Sequence, residues 1–61
     1  GAWRLVATAI REELAGHPSE ARAAYDAFVA LPIHQRLLAL NLPDPEVEWF
    51  VAWRLRALAK L

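Results

Sequence analysis

Residues 44–61 have the sequence DPEVEWFVAWRLRALAKL, and this stretch organises the rest of the chain. Asp44 can cap a helix because its carboxylate can accept hydrogen bonds from first-turn amides, and Pro45 suits the first helical position. Acidic residues crowd the start of the stretch and basic residues its end, which complements a helix macrodipole. No glycine or proline follows Pro45. The pattern therefore predicts a helix over residues 45–61.

This predicted helix carries more than one apolar stripe. Its aliphatic stripe consists of Val47, Val51, Leu55 and Leu58. Trp49 and Trp53 lie one turn apart on another face, which continues to Arg56 and Lys60. A surface helix of a monomer usually needs one apolar stripe, so this helix is either covered on both sides by its own chain or meets a partner. Because Trp and Arg are enriched in binding hot spots, these four residues form the candidate protein-binding site.

The rest of the chain also has helical periodicity. It predicts three further helices, at residues 2–15, 19–31 and 32–41. Gly16 is suited to end the first helix, Ser19 to cap the second, and Pro32 to break the chain before the third. No stretch alternates as a strand would. We expect an all-α, compact four-helix bundle with short connections punctuated by proline and glycine, its long C-terminal helix packing across the other three.

The same periodicity predicts which side chains form the core. We expect apolar residues spaced three or four apart to face inward on each helix. The predicted core consists of Trp3, Val6, Ile10, Leu14, Tyr25, Phe28, Ile33, Leu37, Leu40, Val47, Val51, Leu55 and Leu58.

Length and composition limit the class of protein. Sixty-one residues suffice for one domain, residues 1–61, near the lower size limit for a core without disulfides or metal. The hydrophobic content of 57% opposes disorder, and seven basic residues balance seven acidic ones, unlike a typical nucleic-acid binder. The longest uncharged run is too short to span a membrane. Since the sequence contains no methionine, we expect a domain excised from a longer, cytoplasmic protein.

Candidate catalytic and metal-binding residues are few. His17 and His34 are the only histidines, and no cysteine is present to complete a metal site. Glu12 and Glu13 are adjacent and would point in different directions on a helix, which does not suit an acid–base pair. The chain has no glycine-rich phosphate loop. We therefore expect no enzyme activity, no metal and no cofactor.

The sequence favours a non-catalytic protein–protein interaction module: a docking, adaptor or dimerisation domain. Its partner would be another protein or a second copy of the chain, and it would use an apolar helix face. A nucleic-acid-binding helical domain is one alternative, because tryptophan and arginine can stack on bases.

A different class of function is a further alternative. A helical chain of this size without cysteine or methionine resembles the circular or leaderless bacteriocins, compact helical bundles that act on membranes. This resemblance implies a processed, membrane-active peptide. The formal net charge of zero differs from the basic excess that attraction to anionic lipid requires.

Overall fold

Three α-helices make up most of the part of the chain that the structure describes. The computed structural model describes residues 2–36 and 44–61, apart from the side chain of His34. The helices are α1 (Ala2–Leu14), α2 (Pro18–Ala30) and α3 (Pro45–Leu58). A single 3-10 turn, Ile33–Gln35, follows α2. No strand occurs in these two ranges, so the all-α prediction is confirmed.

The connection between α1 and α2 is set by one glycine. Gly16 has a φ of 80°, the left-handed conformation predicted for it. Its amide donates to the carbonyl of Glu13 at 3.1 Å, and the amide of His17 donates to that of Glu12 at 2.8 Å. This pair of hydrogen bonds is the Schellman motif, which satisfies carbonyls at the end of α1 and reverses the chain.

Two of the helices begin with a proline. Pro45 starts α3, and the Asp44 carboxylate accepts hydrogen bonds from the amides of Glu46 at 3.0 Å and Val47 at 3.3 Å. The predicted cap is therefore confirmed. At α2 the predicted cap, Ser19, is wrong, because the helix already begins at Pro18 and the side chain of His17 makes no capping hydrogen bond.

The prediction of a four-helix bundle is wrong for the described residues. The helix predicted at residues 32–41 is replaced at its start by the 3-10 turn, while residues 37–43 lie outside the described residues. Helix α3 has 14 residues, against 13 in each of α1 and α2, so it is not a long C-terminal helix. As predicted, α2 ends before Pro32, because Leu31 has extended backbone geometry.

Helix α2 lies centrally and packs against both other helices, more extensively against α1. The side of α1 that joins the core is formed by small or short residues, Ala2, Val6 and Ala9. Opposite them, Tyr25 and Phe28 of α2 are fully buried. Among the described residues, the buried cluster consists of Ala2, Val6, Ala9, Ala21, Tyr25, Phe28, Val51 and Leu58. The small residues let α1 approach α2 closely, and the two aromatic rings fill the remaining volume.

Part of the predicted core lies elsewhere. The buried members of that set are Val6, Tyr25, Phe28, Val51 and Leu58, with Val47 and Leu55 half-buried. Leu37 and Leu40 are outside the described residues. The exposed members are Trp3, Ile10, Leu14 and Ile33. The core-facing side of α1 is thus centred on its alanines, about a quarter-turn from the predicted side, and the large apolar side chains flank it.

Candidate functional site

The start of α1 lies beside the start of α3 at Trp3 and Val47, and Glu13 near the end of α1 pairs with Arg54. The two helices therefore run in the same direction, with an open groove between them. Near their N-terminal ends, a cleft of about 750 Å³ is lined by residues of both helices, among them Trp3 and Phe50. A second cleft, of about 360 Å³, adjoins it toward their C-terminal ends and shares Ile10 and Phe50 with it. We define the groove by its apolar lining residues: Trp3, Val6, Ile10, Leu14, Val47, Trp49, Phe50 and Trp53.

Aromatic rings of α3 form one wall of the groove. The rings of Trp49 and Trp53 stack, with centroids 5.9 Å apart and planes 14° from parallel. Phe50 meets Trp53 edge-to-face at 5.9 Å and meets Tyr25 of the core edge-to-face at 6.2 Å. Phe50 therefore connects the wall to the buried core, which supports the tryptophans even though they remain exposed.

The residues of the predicted protein-binding site lie along this wall and beyond it. The side chain of Trp49 is 64% exposed and that of Trp53 is 44% exposed. Arg56 on the last turn of α3 and Lys60, two residues beyond the helix end, are both exposed. Neither forms an ion pair with any residue in the two described ranges. The structure thus brings the two tryptophans together at the groove and leaves the two cations on its outer margin.

The sequence pattern did not predict the opposite wall of the groove, which α1 forms. Trp3, Ile10 and Leu14 of α1 were predicted to be buried, yet Leu14 is 84% exposed and all three line the groove. The available signal was the spacing of Ala2 and Ala9, with Val6 between them, because a stripe of small residues marks the side of a helix that packs closely. The large residues then had to lie beside the interface.

A polar cluster joins all three helices at the C-terminal end of the groove. The Glu13 carboxylate accepts a hydrogen bond of 2.7 Å from the Tyr25 hydroxyl. It also accepts hydrogen bonds from Arg54, with Nη2 at 2.7 Å and Nε at 3.1 Å. The Arg54 guanidinium lies 4.5 Å from the centroid of the Trp53 ring, within the range of a cation–π contact. Through this cluster, α1 and α2 fix the position of the aromatic wall of α3.

The three side chains of this cluster shift one another's pKa values. The hydrogen bonds from Arg54 hold the pKa of Glu13 below its ordinary value, although partial burial acts in the opposite sense. Burial raises the pKa of the Tyr25 phenol, and the hydrogen bond to Glu13 adds to that effect. The pKa of Arg54 is raised by its hydrogen bonds to Glu13. At neutral pH Glu13 and Arg54 therefore form an ion pair, and the Glu13 carboxylate also accepts the hydrogen bond from the Tyr25 phenol.

Metal-binding clusters and membrane-spanning helices do not occur among the described residues. No group of three or more His, Cys, Asp or Glu side chains among them is arranged to hold a metal ion. His17 pairs with Glu12 at 2.8 Å, and this hydrogen bond raises the pKa of the imidazole. None of the three described helices is both long enough and apolar enough to cross a membrane. The polar residues that line the larger cleft are Asp44 and Glu46, and Asp44 already caps α3.

Comparison with known proteins gives no relative from which a function could be transferred. No protein-family model matches the chain, and neither a curated protein nor a solved structure is significantly similar to it.

Proposed function

We propose that this domain is a non-catalytic protein-interaction module that receives a helix of its partner in the groove between α1 and α3. The observation that carries this proposal is the continuity of exposed apolar side chains across the two helices. Trp3, Ile10 and Leu14 face Trp49 and Trp53 over the groove, and all five are exposed. Contiguous apolar surface of this kind is uncommon on a monomer and is typical of an interaction site.

The shape of the groove suits a helix better than a flat surface. Two neighbouring helices that run in the same direction leave a concave channel, and an amphipathic helix can lay its apolar face into such a channel. Helix α1 has 13 residues, which at 1.5 Å per residue corresponds to about 20 Å. A partner helix of similar length would cover Trp3 at one end and Leu14 at the other, completing a four-helix arrangement with α1, α2 and α3.

The side chains also suit binding more than catalysis. Tryptophans at the wall provide large, rigid contact areas of the kind that dominate binding energy. Catalysis needs polar groups that converge in a pocket shielded from water, whereas the groove is open and apolar with a capping aspartate at its edge. A cytoplasmic location is part of the same proposal and stays a prediction.

A selection experiment tests the proposal without knowledge of the natural partner. A displayed library of 18-residue helices with randomised faces would be selected for binding to the folded domain. We expect the selected helices to share one apolar stripe and to lose binding to a Trp49→Ala variant. Truncating an interface tryptophan costs about 2 kcal/mol or more, which corresponds to about thirtyfold weaker binding.

A matched control distinguishes binding in the groove from non-specific binding to exposed apolar side chains. Val29 of α2 is 49% exposed and does not line the groove, so Val29→Ala should leave the binding of the selected helices unchanged. A second groove variant, Leu14→Gln, tests the other wall. Selection that yields no binding helix, or helices as sensitive to Val29→Ala as to Trp49→Ala, would contradict the proposal.

A further inference from the structure

The basic residues of this chain divide into two groups. Arg22, Arg36 and Arg54 form ion pairs with acidic residues, at 3.9, 3.1 and 2.7 Å. The remaining basic residues, Arg4, Arg11, Arg56 and Lys60, form no ion pair within residues 2–36 and 44–61, and all four are exposed. The chain as a whole is electrically balanced, so these unpaired cations are a local feature. Arg11 and Arg56 lie in the last turns of α1 and α3, where they also complement the helix dipoles.

Most of this positive charge lies along the margins of the groove. On α1, Arg11 follows Ile10 and lies one turn before Leu14, so it stands on the solvent side of that wall. Arg56 continues the strip of Trp49 and Trp53 at helical spacing on α3, and Lys60 follows it in the turn beyond the helix end at Leu58. None of these three cations lines either cleft, but their spacing from Leu14 and Trp53 puts them beside that end of the groove.

The other end of the groove has a different charge balance. Asp44 and Glu46 line it there, and Arg4 lies on the neighbouring turn of α1. The Asp44 carboxylate accepts two hydrogen bonds from α3 amides, and Glu46 forms no ion pair among the described residues. Of the groups named here, the cations outnumber the carboxylates at the C-terminal end of the two helices, whereas the carboxylates outnumber the cation by one at the N-terminal end.

We infer that the partner in the groove is an acidic amphipathic helix: an apolar stripe that fills the channel, flanked by Asp or Glu side chains that meet Arg11, Arg56 and Lys60. This inference rests on the proposed function and adds the chemistry of the partner. Charge complementarity of this kind steers encounter and selects among helices with equal apolar faces.

A second copy of the chain fits the groove less well than such a helix. In a dimer whose two-fold axis passes through the groove, each groove would face the same concave surface of the other copy, and two concave surfaces leave each other unfilled. Shape complementarity at an interface requires a ridge that enters the channel. A single partner helix supplies that ridge.

Three synthetic helices test the inference directly. They would share one 18-residue sequence with the same leucine stripe and differ only in the residues beside the stripe, which are Glu, Gln or Lys. Binding to the domain would be followed by tryptophan fluorescence at low and high salt. We expect the Glu helix to bind about tenfold more tightly than the Gln helix at about 0.1 M salt, and the Lys helix more weakly than either. The differences should shrink at about 1 M salt.

Variants of the domain test whether Arg11, Arg56 and Lys60 cause the preference for the Glu helix. The triple variant Arg11→Gln, Arg56→Gln, Lys60→Gln should bind the Gln helix unchanged and lose the preference for Glu. The single variant Arg11→Gln should reduce that preference about twofold. Its matched control is Arg22→Gln, which removes one exposed arginine from α2, away from the groove, and should leave the preference intact.

The possible results separate this inference from the proposed function. Equal binding of all three helices, still sensitive to Trp49→Ala, would overturn the acidic partner and leave the groove as a docking site. Failure of all three to bind would contradict both. Two further assays use vesicles of phosphatidylcholine and phosphatidylglycerol, and oligo(dT). The domain could bind the vesicles or oligo(dT), the triple variant could fail to bind them, and the Glu helix could neither bind nor compete. That combination would overturn the inference in favour of lipid or nucleic acid. A dimer that Trp49→Ala dissociates would assign the groove to a second copy.

Discussion

Helix α1 meets its two neighbours with two different sets of side chains. Toward α2 it presents Ala2 and Ala9, both buried, and the aromatic rings of α2 fill the space beside them. Toward α3 it presents Trp3 and Ile10, which stay exposed across an open groove. On these two sides of α1 the small alanines are buried, and the large Trp3 and Ile10 are not. The contrast indicates that one side of α1 holds the fold together while the other is available for binding.

The largest expected effect tests the closely packed side. Phe28 of α2 is 1% exposed, so Phe28→Ala should leave a cavity and cost about 3–5 kcal/mol of unfolding free energy. A domain of this size has little more stability than that. We expect loss of the cooperative transition in urea, followed by circular dichroism. A transition close to that of the parent chain would mean that the α1–α2 interface is not the stabilising one.

A smaller effect is expected from overfilling the same interface. Ala9 is fully buried, and Ala9→Leu should force α1 away from α2 at a cost of about 1–3 kcal/mol. Ala7 lies on the same helix and is exposed, so Ala7→Leu is the matched control and should change the unfolding free energy by about 0.5 kcal/mol or less. Equal effects of the two substitutions in urea unfolding would remove the distinction between the two sides of α1.

Much of the helical framework could be predicted from the sequence. Gly16, Pro45 and Asp44 act through bonds to their immediate neighbours, so their roles at helix ends follow from local chemistry. The break before Pro32 is local in the same sense. Predictions of this kind were confirmed, except at Ser19, where Pro18 had already started the helix.

The arrangement of the helices could not be predicted in the same way. Periodicity assigns the inward face of α1 to its largest apolar residues, which gives Trp3, Ile10 and Leu14. Burial depends on how closely two helices approach, and the alanines that permit a close approach contribute little to a hydrophobic stripe. The exposure of Trp49 and Trp53 has the same origin, because it depends on the distance between α1 and α3.

The polar cluster provides the third test, since it links the packed interface to the groove. Glu13→Gln removes the charge that Arg54 and Tyr25 share, and should cost about 1–2 kcal/mol of unfolding free energy. Because the pKa of Glu13 is lowered in the folded chain, its contribution is fully present above about pH 5. It is lost as the pH falls through the folded-state pKa. Urea unfolding at a series of pH values should show this loss in the parent and not in the variant.

The control for this test is Glu12→Gln, which removes a neighbouring carboxylate that pairs with exposed His17. Its effect at neutral pH should be about 0.5 kcal/mol or less, because exposed ion pairs contribute little. The two variants could instead show the same reduction in the pH dependence of unfolding free energy. In that case Glu13 does not hold the three helices together, and the wall of the groove must be supported by Phe50 alone.

The smallest expected effect is on the groove itself. Trp49→Ala should change the unfolding free energy by less than about 1 kcal/mol, because the side chain is 64% exposed and alanine is a better helix former. The lost stack on Trp53 accounts for most of the change that remains. The same substitution should weaken the binding of a helix in the groove by about thirtyfold. Circular dichroism in urea and peptide titration measure the two quantities on one sample. If stability falls by several kcal/mol, Trp49 belongs to the packed part of the fold, and the division between the two sides of α1 does not extend to α3.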